Sequence, residues 1–277
     1  MVYLAWEPLG TEPVARFAAS YRANPGGFPH RLVLLVNGSD TQAFAEECAA
    51  ELDGLRAETL TTDAPMTDLA AYLWAAERVP EAHVCFLNTY SEPLDPDWLR
   101  KMHDALRTGV GLVGSCGSYE SFSSNSPLLT RPLRLAQFPA FPNRHVRTNT
   151  FLIPRDVLAR IEPGRLRTKL DTWKLESGRR NLTRQVIDMG FEPVVAGRDG
   201  RAYDRRHFYE SNTFRRGKQA NLLVADNRTV EFDEAPPDRR RFLFELAWGH
   251  AARDSDDPGA RWEPPASARA TRARRAT

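Results

Sequence analysis

Residues 83–98 read HVCFLNTYSEPLDPDW. The stretch opens on an apolar run, His83 to Leu87, whose length and aromatic and β-branched content suit a strand buried on both faces of a parallel sheet. The run stops at five polar residues, Asn88 to Glu92. Pro93 and Asp95-Pro96 then break the strand, and Trp98 to Leu106 has the spacing of a helix. In open α/β sheets, ligands bind outside the carboxyl ends of the strands. Asn88 to Glu92 is therefore where a ligand is expected. An ordinary strand-to-helix turn is the other reading of the same residues.

Upstream, the same alternation repeats. Val2 to Trp6 reads as a short strand, Glu12 to Tyr21 as a helix, Arg31 to Val36 as a second buried strand and Thr41 to Leu55 as a helix capped by Asp40 or Thr41. Ala57 to Leu60 is a weak third strand and Asp68 to Ala76 an Ala-rich helix. The first hundred residues thus spell β-α-β-α-β-α-β-α, the pattern of a mostly parallel sheet. Downstream, Gly109 to Ser115 is a buried strand, Ser118 to Ser126 a mobile loop and Arg147 to Ile153 a strand. A helix from about Asn181 to Met189 closes at Gly190, Phe191 to Val195 is a strand, and Arg239 to Ala251 is an amphipathic helix. Asp226 to Thr229 reads as a turn. A single domain is expected over residues 1–252, followed by a disordered basic tail over 253–277.

Composition narrows the function classes. Of 277 residues, 38 are basic and 36 acidic, a net charge of +2 that argues against nucleic acid as the main partner. The three cysteines, Cys48, Cys85 and Cys116, are too widely spaced for a zinc site or a disulfide framework. No apolar segment approaches the roughly 18 residues that span a bilayer, and without a basic region followed by an apolar one at the N-terminus a signal peptide is not expected. A cytoplasmic protein without a transmembrane segment is expected.

Three local patterns, in this order along the chain, resemble GT-A glycosyltransferases of the family 2-like group. Leu34-Leu35-Val36-Asn37-Gly38-Ser39-Asp40 resembles the second-strand motif near the nucleotide, with Val36 where the family often has aspartate. Val84 to Pro93, followed by Trp98-Leu99, resembles the segment that carries the metal-binding DxD, with Asn88 and Tyr90 in place of the two aspartates. Glu176 to Gln185, with Gly190, resembles the helix start that carries the catalytic base, though Glu176 lies farther from Leu182 than the pattern has it. The resemblance covers about residues 1–200. It implies a GT-A-like three-layer α/β sandwich with a mostly parallel central sheet. It also implies a nucleotide-diphospho-sugar donor and a carbohydrate or lipid-linked acceptor.

Sugar transfer from such a donor must neutralise charge on the departing diphosphate, remove a proton from the acceptor hydroxyl and hold both substrates in line. Glu176 is the expected general base, with a helix cap as its other reading, and Asp171 is the second candidate. Trp6, Glu7 and Asn37, at the ends of the first two strands, are expected around the donor with Asn88 and Tyr90. Trp6 has a second reading as a core residue. For the diphosphate, either Glu92 or Asp95 joins Asn88 around magnesium or manganese, or arginine takes the metal's place, with Arg205, Arg206, Arg215 and Arg216 as sources. His145 and His207 read as structural. Two alternatives stand beside the transferase: a degenerate GT-A domain serving as a binding or scaffold module, and a nucleotidyltransferase. The second wants a Gly-rich basic loop after the first strand, which Trp6 to Gly10 does not supply.

Overall fold

In the computed structural model, residues 1–123 and 131–249 are described, without the side chain of Arg131. Twelve strands run in chain order. The first six are β1 (Val2–Trp6), β2 (Leu32–Asn37), β3 (Ala57–Thr61), β4 (His83–Leu87), β5 (Glu92–Pro93) and β6 (Val110–Gly114). The rest are β7 (Gly117–Ser118), β8 (His145–Val146), β9 (Thr150–Pro154), β10 (Glu192–Ala196), β11 (Ala202–Asp204) and β12 (Val224–Ala225). The helices are α1 (Glu12–Ala23), α2 (Thr41–Glu51), α3 (Asp68–Ala76), α4 (Trp98–Ala105) and α5 (Arg131–Gln137), then α6 (Arg155–Leu158), α7 (Lys169–Ser177), α8 (Leu182–Asp188), α9 (Asn227–Glu234) and α10 (Pro237–Trp248).

Eight strands form one sheet in the order β11-β10-β6-β9-β4-β1-β2-β3. Six of them share a direction, while β9 runs antiparallel to β4 and β6 and β11 antiparallel to β10. This is the mostly parallel three-layer plan that the sequence implies. The strands are short and apolar because both faces are covered. Side chains alternate strictly between the faces. Val2, Leu4, Val33, Leu35, Val84, Phe86, Phe151 and Ile153 face α3, α7, α8 and α10. Tyr3, Ala5, Leu34, Val36, Cys85, Leu87 and Leu152 face α1, α2 and α4. Tyr3 stacks on Phe17 of α1, with ring centroids 3.8 Å apart.

Several expectations are corrected. Lys169–Ser177 is a helix in its own right, opened by a capping box in which Thr168 and Asp171 bond each other's backbone N–H. Glu176 therefore sits in the last turn of α7 and not at the start of the following helix. Asp226 is no turn residue: its side chain accepts from the N–H groups of Arg228 and Thr229 and caps the eight-residue α9. Arg147 to Asn149 are not strand; β9 begins at Thr150. Residues 118–123 are packed and not a mobile loop, since Tyr119, Ser121 and Ser123 are buried and Gly117–Ser118 pairs with His145–Val146. The remainder of that expected loop, and the basic tail, lie outside the described residues. All three cysteines are buried and free. Among the described residues, no helix is long and apolar enough to cross a membrane.

Candidate active site

The parallel strands end together, and their last residues obey the alternation of the faces. Trp6 and Asn37 are register partners at the ends of β1 and β2. Asn88 follows β4, and its N–H donates to the Asn149 carbonyl at 2.9 Å, extending the β4–β9 ladder by one rung. Counting in twos along β1, β2, β4 and β9 puts Trp6, Asn37, Asn88 and Asn149 on the face that α3 and α7 cover. The tips of β2 and β4 flank that of β1, so the three polar ends adjoin.

Helix α7 carries Glu176 to this corner. Its Oε1 accepts the Thr148 N–H at 3.1 Å, one residue from Asn149. Asp171, five residues earlier, is held at the other end of α7. Its Oδ2 accepts from Thr168 Oγ1 (2.9 Å) and Thr168 N (3.1 Å), and these bonds hold its carboxyl below the ordinary range. Asp171 therefore acts as a cap, and of the two carboxylates only Glu176 is brought to the strand tips.

The other expected residues divide by whether their polar atoms are already engaged. Asn37 is buried, and its amide ties down the segment before α3. It donates to the Met66 carbonyl (2.7 Å) and accepts from Met66 N (3.0 Å) and Thr62 Oγ1 (3.3 Å). Glu7 accepts from Ser39 N, Ser39 Oγ and Asp40 N, which lowers its proton affinity. Gly38 is required there, because a Cβ at that position would collide with the Glu7 side chain. Trp6 is not a core residue; 43% of it is exposed. The Asn88 Oδ1 accepts from Tyr90 N (3.1 Å) and Ser91 Oγ (2.9 Å), so it folds its own loop. Glu92 pairs with Arg16 at 3.3 Å. Asp95 is gripped by Lys101 at 2.8 Å.

Those contacts decide how well a divalent ion fits. The one carbonyl oxygen at the β4 tip is engaged twice, Tyr90 offers no carboxylate, and Glu92 and Asp95 are each held by a cation. Among the described residues, no three His, Cys, Asp or Glu side chains stand where they could share an ion. The residues present do not fit a DxD-type metal.

Arg205 does not reach the tips either. Its Nε lies 3.7 Å from Glu192, at the opening residue of β10 and opposite the carboxyl ends of the parallel strands. Arg206 is exposed on the same loop. A different arginine stands at the corner. Arg147 is half-buried, with its guanidinium 4.2 Å from the Phe214 ring centroid. Its Nη2 is 3.9 Å from Asp226 Oδ2, and its Nε has no partner. Burial alone would lower its proton affinity, but Asp226 and Glu176 raise it more. Arg215, stacked near the same ring at 4.9 Å, is flanked by Glu120 (3.6 Å) and Glu231 (3.7 Å), and burial pulls it down to about 10. The sequence reading took Arg147 as the first residue of a strand and missed its nearness to Asp226, 79 positions away in the chain. His145 is buried and its Nδ1–H donates to the Asn143 carbonyl at 2.7 Å, a structural place, and His207 pairs with Asp204 on the surface.

No protein-family model matches the sequence, and no curated protein does. Solved structures similar to the chain include the mannosyltransferase PcManGT from Pyrobaculum calidifontis in complex with GDP-Man and Mn2+. It is 15% identical, with a TM-score of 0.47 over 99% of this chain and 79% of that one. HddC from Yersinia pseudotuberculosis is 12% identical, with a TM-score of 0.41 over 73% of this chain and 91% of that one. The glucosyl-3-phosphoglycerate synthase from Mycobacterium tuberculosis, in complex with Mn2+, UDP and phosphoglyceric acid, is 16% identical. Its TM-score is 0.36, over 56% of this chain and 55% of that one.

Proposed function

We propose that the protein is a glycosyltransferase that moves a sugar from a nucleotide diphosphate to a hydroxyl acceptor, with Glu176 as general base. The observation that carries this reading is the delivery of Glu176, by a separate helix, to the Thr148 N–H beside the tips of β4 and β9. A carboxylate at the carboxyl ends of parallel strands stands where ligands of open α/β sheets bind. The Thr148 N–H orients the carboxylate and leaves Oε2 to accept a proton. In the reaction, the acceptor O–H gives its proton to Glu176 while its oxygen bonds to the anomeric carbon. The bond from that carbon to the diphosphate oxygen breaks, and the electron pair leaves with the diphosphate.

Arg147 is the group in this reading that meets the charge on the diphosphate. Its planar donors match phosphate oxygens, and its hold on Asp226 is long enough to be exchanged for a ligand. Trp6, exposed at the end of β1, offers a ring to the nucleobase, with Glu7, Asn37, Asn88 and Tyr90 shaping the adjoining surface. Transfer is then independent of divalent metal. Glu176→Gln should abolish transfer and keep donor binding; normal turnover in that variant defeats the assignment. Loss of activity with EDTA, restored by manganese, defeats the role given to Arg147.

A second reading is favoured by the same β4 tip. Without its carboxylate pair, the domain would be a non-catalytic binding module. Thermal shift with UDP, GDP and dTDP sugars separates the two, since the transferase must bind at least one. The nucleotidyltransferase reading ranks third, because no paired carboxylates stand at the β4 tip.

A further inference from the structure

Three polar side chains on the α3–α7 side of the sheet are buried without hydrogen-bond partners. They are the Tyr72 hydroxyl (residue 1% exposed), the Thr172 hydroxyl (6%) and the Asn149 amide (4%), which makes no hydrogen bond of ordinary geometry and interacts only weakly with a thiol. The Cys116 thiol is the polar neighbour of that amide. Leaving such a group unpaired costs stability, and buried polar groups in folded proteins are rarely orphaned.

Their positions converge. Tyr72 lies one helical turn from Asp68 on α3, and Thr172 one turn from Glu176 on α7, so each pair shares a face of its helix. The two helices pack against each other, and the Thr67 hydroxyl donates to the Leu166 carbonyl at 3.2 Å between their leading segments. Asp68 and Glu176 both act on the Tyr72 hydroxyl, which burial keeps protonated. Asn149 adjoins Thr148, whose N–H holds Glu176. Tyr72, Thr172 and Asn149 thus surround one carboxylate, and each can both donate and accept a hydrogen bond.

The charges nearby set the ligand class. Asp68 and Glu176 are close enough to repel each other, which together with desolvation pushes the Asp68 carboxyl up. Of the cations nearby, Lys169 acts on Asp68, and the half-buried Arg147 acts on both Asp226 and Glu176. A phosphate or carboxylate entering here would meet two carboxylates. An uncharged polyol would meet hydroxyl and amide groups that exchange bonds with it in both senses.

We propose that Tyr72, Thr172, Asn149 and Glu176 form a subsite for an uncharged polyol, the sugar ring of the acceptor, and that this corner rejects phosphorylated or carboxylated sugars. The proposal rests on the transferase reading for the word acceptor, but its test does not need transfer. Since the orphaned atoms lie inside, binding parts the start of α3 from α7.

The test measures binding of the methyl glycosides of glucose, mannose and galactose and of myo-inositol, beside the 6-phosphates of the three sugars and glucuronic acid. Calorimetry gives the affinities, and hydrogen exchange follows residues 66–72 and 172–176. The expected result is that at least one neutral compound binds ten-fold or more tighter than its charged counterpart and changes exchange in both segments. Binding of a charged member as tight as its neutral form overturns the proposal, as does no binding by any neutral member. Thr172→Val and Tyr72→Phe remove orphaned hydroxyls without changing shape. Each should weaken the neutral ligand at least five-fold with Tm unchanged or higher; unchanged affinity in both, or a fall in Tm in both, also overturns it. Asp68→Asn should narrow the discrimination against the 6-phosphates. Nucleotide binding, read separately by thermal shift, reports on the transferase reading, so the two can fail independently.

Discussion

Two corners of the same sheet edge are built from similar residues to different ends. At the tips of β1 and β2, Glu7 and Asn37 have their polar atoms engaged by backbone groups. At the tips of β4 and β9, one layer deeper, Tyr72, Thr172 and Asn149 have theirs open. Both corners hold a buried asparagine beside a carboxylate. The Asn37 amide closes a loop and is architecture; the Asn149 amide makes no hydrogen bond of ordinary geometry and has the Cys116 thiol beside it. Satisfied polar groups stabilise the fold, and unsatisfied ones cost stability that only a ligand offsets. Residue type does not separate the corners; pairing does.

Four substitutions break or sharpen that contrast, in falling order of effect. Glu176→Gln keeps the Thr148 bond and removes the proton acceptor. Transfer should fall about 10²–10⁴-fold, while thermal shift by the nucleotide sugar persists; kcat within a factor of three of the parent excludes Glu176 as base. Asn37→Leu at the engaged corner should cost about 1–3 kcal/mol in urea unfolding, because the Met66 N–H and the Thr62 hydroxyl lose their acceptor. A variant as stable as the parent would mean that the β3–α3 segment does not depend on Asn37.

The third concerns pH. Burial pushes the Asp95 carboxyl up, but Lys101 and the Asp97 N–H together hold it below its ordinary value. A depressed carboxyl contributes stability that is complete above the unfolded pKa, about 4, and is lost as pH falls through the folded one. Lys101→Met removes the main lowering partner, so Asp95 should protonate closer to its unfolded value; Tm should be lower near neutral pH and its fall in acid shallower than the parent's. Superimposable Tm profiles between pH 5 and 3 would exclude that linkage. The smallest effect is at the open corner: Thr172→Val should change stability by less than about 1 kcal/mol, with the sign toward stabilisation. A loss of 2 kcal/mol or more would show that the hydroxyl has a partner after all.

Much of the layout was legible in the chain because it follows from local periodicity. β1 and β4 match their expected spans, Val2 to Trp6 and His83 to Leu87, since short apolar runs bounded by polar residues and proline admit few other conformations. Capping was less legible. Asp171 read as a second candidate base and Asp226 as a turn residue, and their caps depend on backbone turns that no single motif announces. Trp6 kept two readings, core and donor surface, because an aromatic at the end of an apolar strand fits both burial and exposure, and the fold leaves it exposed. Arg205 was misplaced because β11 runs antiparallel and carries it to the opposite end of the sheet.

By itself, the sequence determined the alternation of strands and helices, the mostly parallel sheet and the edge where strand ends gather, since these depend on hydrophobic pattern and turn chemistry along the chain. Only the tertiary structure decided which polar groups at that edge are engaged and which are open. A hydrogen bond joins residues by distance in space, and Arg147 meets Asp226, or Glu176 meets Thr148, only after α7, β9 and β12 have packed.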